Sequence, residues 1–230
     1  MQRISICVIG DYDPRMYTHV ALNNAIEHCR PFVQVELIYA WFATDQITET
    51  IFTRNKFQAF WIAPGSPYKN DEAVYKAIQW AREYDFPILG TCGGFQYMVV
   101  EYARNVLGIY NTGHQETEPN AEKLIISKMS CSLKGQQEEI YIKDHESWLY
   151  RVLKRTTLTG KFNCSYGVNP VYQSQLNKAP FTFTAFSKGG EARALELKTH
   201  RFFNGTLFQP PLDSSPEKPN ELILDFINHC

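Results

Sequence analysis

The chain has 230 residues, 44% hydrophobic and 14% aromatic, with 23 basic and 24 acidic side chains and a formal net charge of -1. That is enough apolar matter for a sizeable core, in one large α/β domain or two small ones, and it supplies no overall field for nucleic acid or an anionic membrane. No apolar run is long enough to span a bilayer, and the first residues pass from one arginine into an apolar run without a cleavage-type site, so a cytoplasmic protein is expected.

The first half alternates strand and helix. Residues 4–9 (ISICVI) form a continuous apolar run ending at Gly10 and Asp11, as a fully buried parallel strand does. Thr18 is placed to cap a helix whose Val20, Ala21, Leu22, Ala25 and Ile26 share a face. Residues 33–39 and 59–62 read as the next strands, and Asn70 or Asp71 opens a helix carrying Val74, Ala77, Ile78 and Ala81. A short strand at 87–89 runs into Gly90-Thr91-Cys92-Gly93-Gly94, then a helix closed by Gly108. This order predicts a mostly parallel sheet covered on both faces.

The second half changes character. Runs at 124–126, 140–142, 181–186, 192–197 and 206–208 are strand-like and joined by turns, so they are expected as antiparallel additions to the sheet. Asn220 caps a last helix, and no repeat or linker divides the chain, so residues 1–230 read as a single domain.

Six cysteines, at 7, 29, 92, 131, 164 and 230, show no CxxC pair and read as reduced thiols rather than a disulfide framework or zinc site. Five of them read as small buried hydrophobes or surface thiols. Cys92 stands apart. It lies between a buried strand and a helix, in a turn whose glycines relieve crowding and let a substrate approach. There the helix dipole favours a thiolate, and the Gly93 N–H is placed to bond an oxyanion. Gly65, in Ala63-Pro64-Gly65-Ser66-Pro67 after an earlier strand, is a second candidate donor.

The segment Gly90-Thr91-Cys92-Gly93-Gly94-Phe95-Gln96 resembles the G-x-C-x-G-x-Q elbow of class I glutamine amidotransferases. With Gly10-Asp11-Tyr12, the run from Glu101 to Val106 (EYARNV) and the stretch 203–226, the likeness is to the glutaminase domain of CTP synthase. The resemblance implies a flavodoxin-like α/β fold, a small-molecule substrate of glutamine type, and no cofactor or metal. It does not extend to a synthetase domain, so if ammonia is released an ammonia-accepting partner subunit is expected to consume it; a homo-oligomer stays open. Gln96 and Glu118 match family positions that bind substrate, and Tyr166 persists from the family's R-H-R-Y-E-V-N segment.

The likeness breaks at three places. Gln209 stands where the family's F-H-P-E-F motif has histidine, and Pro211 where it has glutamate. A glutamine amide takes no proton near neutral pH, and proline offers no side-chain acceptor. In Asn163-Cys164-Ser165-Tyr166 the family's arginines are gone, and with them a cationic contact for a substrate carboxylate. Should another base serve Cys92, His114 and His200 are the candidates, each in a segment expected near the C-terminal edge of the sheet. The cluster Asp144-His145-Glu146 reads as a solvated turn. Two readings therefore stand: Cys92 attacks an amide or related carbonyl, or the domain binds a ligand without catalysis.

Overall fold

The computed structural model describes residues 2–48, 51 and 57–230; residues 1, 49, 50 and 52–56 of the expected domain lie outside this range. Five parallel strands form one half of a nine-stranded sheet: β1 (Arg3–Ile9), β2 (Glu36–Phe42), β3 (Ala59–Ile62), β4 (Ile88–Thr91) and β12 (Phe203–Thr206), in the order β2-β1-β3-β4-β12. This is the flavodoxin-like order 2-1-3-4-5, with the fifth strand supplied from near the end of the sequence. Beyond β12 the sheet turns antiparallel through β11 (Ala192–Leu197), β10 (Phe181–Phe186), β7 (Gln137–Ile142) and β8 (Thr157–Lys161).

Helices cover both faces, and β3 shows why. Phe60 and Trp61 are neighbours on a strand, so their side chains point to opposite faces. Phe60 meets Trp80 of α2 (Asp71–Glu83), with ring centroids 5.6 Å apart. Trp61 meets Phe226 of α6 (Glu221–Asn228) at 5.8 Å. Helix α1 (Tyr17–Cys29) packs with α6, and α2 packs with α3 (Gly93–Asn105). Helix α3 is buried on nearly every side, Glu101 included, and that carboxylate is neutralised by Arg82 at 2.7 Å. Two short helices, α4 (Trp148–Leu153) and α5 (Pro170–Leu176), lie in the second half. No helix among the described residues is long and apolar enough to cross a membrane.

Several expectations shift. The run at 124–126 lies in a separate three-stranded sheet of β5 (Thr112–His114), β6 (Lys123–Lys128) and β9 (Tyr166–Val168), which packs on α3 rather than extending the main sheet. Strand β12 begins before the expected 206–208 run, because Asn204 and Gly205 pair with β11 on one side and β4 on the other. Thr18 does not cap α1: Met16 holds that position without a side-chain bond. The small sheet and the edge of the large one form two walls around Cys92.

Candidate active site

Cys92 follows β4 and precedes α3 with φ 55° and ψ -106°, a conformation that costs a non-glycine residue about 1–3 kcal/mol. The surroundings hold it there. Its N–H donates to Thr206 O at 2.8 Å, continuing the β4–β12 ladder, and its carbonyl accepts from Gln96 N–H at 3.2 Å. A Cβ on Gly94 would overlap the Ile62 carbonyl, so only glycine lets α3 pass this close to β3. As the first residue of α3, Gly93 has an N–H that no carbonyl of its own helix can satisfy. A Cβ on Gly93 would stand 3.1 Å from Ser66 N, so the Gly65-Ser66 turn lies directly against the elbow. His19 supports that turn from behind. Its Nδ1 accepts from Asp13 N–H at 3.0 Å, so Nε2–H donates to Pro64 O at 2.8 Å, and burial lowers its pKa.

Cys92, Gly65, Gln96, Tyr166 and Gln209 line one pocket of about 140 Å³. The wall built on the small sheet is a closed polar network. Gln96 Nε2 donates to Tyr166 O at 2.8 Å, while Gln96 Oε1 accepts from His114 Nε2–H at 2.9 Å. His114 Nδ1 accepts from Glu116 N–H at 3.1 Å, which sets the tautomer, and burial pushes the ring pKa down to about 3. The wall at the edge of the main sheet is open. Gln209 is fully buried, yet both polar atoms of its amide lack a partner among the described residues, as does the buried Thr18 Oγ1 on the same pocket.

The pocket carries charge of both signs. Glu116 accepts from the Ser66 hydroxyl at 2.9 Å, and burial raises its pKa against that hydrogen bond. Lys134 sits at the exposed rim and makes no ion pair among the described residues.

The elbow cysteine lies against a glycine turn at the C-terminal edge of a 2-1-3-4-5 sheet, and residues 18–229 match the family model for glutamine amidotransferase class-I. The chain belongs to this family. It is 28% identical to CTP synthase of Sulfolobus acidocaldarius, across 99% of this chain and 45% of that protein. It is 29% identical to CTP synthase of Methanopyrus kandleri, across 94% and 43%. It thus spans less than half the length of these curated relatives. The glutaminase domain of Trypanosoma brucei CTPS, solved with bound acivicin, superposes with a TM-score of 0.88 at 22% identity, over 98% of this chain and 93% of that one. A glutamine amidotransferase from Thermotoga maritima has the same fold, with a TM-score of 0.59 at 10% identity over 100% and 96%.

Within this amidotransferase domain the remaining expected residues lie elsewhere. Glu118 is absent from the pocket lining: Arg104, at the end of α3, holds both of its carboxylate oxygens at 2.6 and 2.7 Å. Glu116, two residues earlier, is the acid that faces the pocket. Pro211 sits in the turn Pro210–Asp213 and does not line the pocket. Neither candidate base is available. His114 stands behind Gln96 with both ring nitrogens engaged. His200 precedes β12, and β12 is parallel to β4, so His200 lies at the opposite edge of the sheet from Cys92, facing Ala81 O at 3.2 Å. Among the described residues, no histidine lines the pocket.

The sequence reading missed Thr18, Glu116, Lys134 and Cys164 as pocket residues. Thr18 was legible only as a cap and Cys164 only as a small apolar side chain. Lys134 carries no local signal.

Proposed function

We propose that this amidotransferase domain captures a small amino-acid amide of the glutamine type at Cys92 and releases product slowly. One observation carries the reading: the Gln209 amide is buried with donor and acceptor both unpaired among the described residues, on the same pocket as the Cys92 thiol. Leaving such groups unmet costs about 1–3 kcal/mol each, and a ligand amide or carboxylate supplies what they lack. Residues 1–230 are read as one domain, since the nine-stranded sheet takes strands from both halves of the sequence.

The chemistry follows from the residues present. Cys92 Sγ attacks the ligand carbonyl, and the N–H groups of Gly93 and Gly65 stabilise the oxyanion. Glu116 meets the ligand ammonium and Lys134 its carboxylate, where Asn163 and Ser165 replace the family's arginines. Gln209 holds the ligand but neither takes nor returns a proton, and Pro211 cannot orient a base. Ammonia therefore departs without a positioned acid, and the thioester waits without a positioned base. A general base is worth about 10²–10⁴-fold in rate. Ammonia released here would be consumed at an ammonia-accepting site outside this domain.

The test is intact-mass analysis and calorimetry with glutamine and with acivicin, the compound bound in the T. brucei structure. The expected result is an acivicin adduct that Cys92→Ala abolishes, together with glutamine binding and slow hydrolysis. If neither compound binds or labels the protein, the reading fails. The lack of a histidine on the pocket among the described residues favours one second reading, a purely ligand-binding domain. That reading holds if glutamine binds and Cys92 stays unacylated.

A further inference from the structure

A second thiol stands beside the first. Cys164 is buried and lines the same pocket as Cys92. Its segment, between β8 and β9, is fixed from the far side: Leu133 N–H donates to Cys164 O at 2.9 Å, and Met129 N–H donates to Ser165 O at 2.9 Å. From the near side, Cys92 Sγ donates to Asn163 O at 3.8 Å. Ordered backbone thus presents both thiols to one small cavity, and the exposed Lys134 forms part of its rim.

The two sulfurs are not equivalent. Cys92 sits at the positive end of α3, a place that favours an anion. Cys164 is held as the neutral thiol: the neighbouring Cys92 and its own burial both push its pKa up. One sulfur is placed to react first and the other to follow with its proton still attached. A pocket of about 140 Å³ admits an oxidant of a few atoms.

We propose that Cys92 and Cys164 form a peroxide-oxidised dithiol site. The Cys92 sulfur attacks one peroxide oxygen: an S–O bond forms, the O–O bond breaks, and the departing hydroxide takes the Cys92 proton and leaves as water. Cys92 is then a sulfenic acid. The Cys164 sulfur attacks the Cys92 sulfur: the S–S bond forms, the S–O bond breaks, and hydroxide leaves with the Cys164 proton as water. Two thiols lose two electrons, and hydrogen peroxide is reduced to two waters. The closed disulfide removes the sulfur that would attack a carbonyl. It also protects Cys92 from irreversible over-oxidation.

The experiment treats the purified chain with a small excess of hydrogen peroxide in the absence of any amide ligand. Remaining thiols are then alkylated, and the digest is read by mass spectrometry. The expected product joins the peptides of Cys92 and Cys164, lighter by two hydrogens, and dithiothreitol reverses it. Cys7, Cys29, Cys131 and Cys230 serve as internal controls and remain alkylated. In Cys164→Ser, confirmed as folded by circular dichroism, Cys92 is instead trapped by dimedone and proceeds to sulfinic acid. The wild-type crosslink decides the matter even if that variant is unstable. Wild-type Cys92 over-oxidised without a crosslink, a crosslink to a different cysteine, or both thiols still alkylated would overturn the proposal. Because no amide is present, this result is independent of whether Cys92 acts on glutamine.

Discussion

The two walls of the Cys92 pocket bury amides of the same kind in opposite states. On the small-sheet side, Gln96 spends its donor on Tyr166 O and its acceptor on His114, whose other nitrogen is held by Glu116 N–H. On the main-sheet side, Gln209 is equally buried and its amide has no partner among the described residues. A satisfied buried network is rigid and already complete, whereas an unsatisfied amide is a standing cost that a ligand relieves. The Gln96–His114 network is therefore read as scaffold and the Gln209 amide as a group that meets the ligand.

The largest effect should come from rebuilding the open wall as a proton relay. Gln209→His combined with Pro211→Glu is expected to raise glutamine hydrolysis by about 10²–10⁴-fold over the parent, measured as ammonia release. A folded double variant with no gain would mean that position 209 does not reach the reacting atoms.

The closed wall should reveal itself by its response to acid. His114 has a pKa of about 3 in the folded chain, against an ordinary value of 6.5. Between those values the unfolded chain binds a proton that folded His114 refuses. Stability is then fully present above about pH 6.5 and is lost as pH falls toward about 3, by up to about 1.4 kcal/mol per pH unit from this group. Burial lowers the pKa values of His19 and His200 as well, so they add slopes of the same sign. Denaturant unfolding at several pH values should give a flatter dependence for His114→Gln than for the parent. An unchanged slope would remove His114 from this account.

The same substitution should act with opposite sign on the two walls. Gln209→Met removes two unmet polar atoms and is expected to stabilise the free protein by about 1–3 kcal/mol while weakening capture of a glutamine-type ligand. Gln96→Met strands Tyr166 O and the His114 N–H, and is expected to destabilise by about the same amount. Paired urea midpoints check both, and equal signs would erase the distinction between the walls. Lys134→Met should have the smallest effect. An exposed rim charge is worth at most about 1 kcal/mol, so calorimetry should show up to a roughly fivefold weaker ligand Kd with unchanged stability.

Some of this was legible from local pattern. The buried runs of β1 and β3 announce parallel strands because a strand covered on both faces must be apolar throughout. The elbow was legible because a sharp strand-to-helix turn, with α3 packed against β3, needs glycines at fixed offsets from Cys92. The small sheet was not legible: β5 and β9 are three residues each, too short to show a period. Strand β12 was misplaced because Asn204 and Gly205 carry little strand preference of their own and are held by neighbours on both sides.

By itself, then, the sequence determined the alternating first half, the glycine-flanked cysteine, and the presence of Gln209 and Pro211 where the family resemblance expects histidine and glutamate. Only the tertiary structure decided which groups face that cysteine. Glu116 and Glu118 are indistinguishable in a polar loop until Arg104 draws one of them away from the pocket. His200 looked close to the site until the parallel pairing of β12 with β4 put it at the far edge of the sheet. Cys164 looked like any small core residue until the chain crossing between β8 and β9 set it on the same pocket as Cys92. Periodicity and turn chemistry act between residues a few positions apart, so the sequence records them directly. Contacts between distant segments depend on strand order and on which side chain wins a partner, and the folded chain alone settles those.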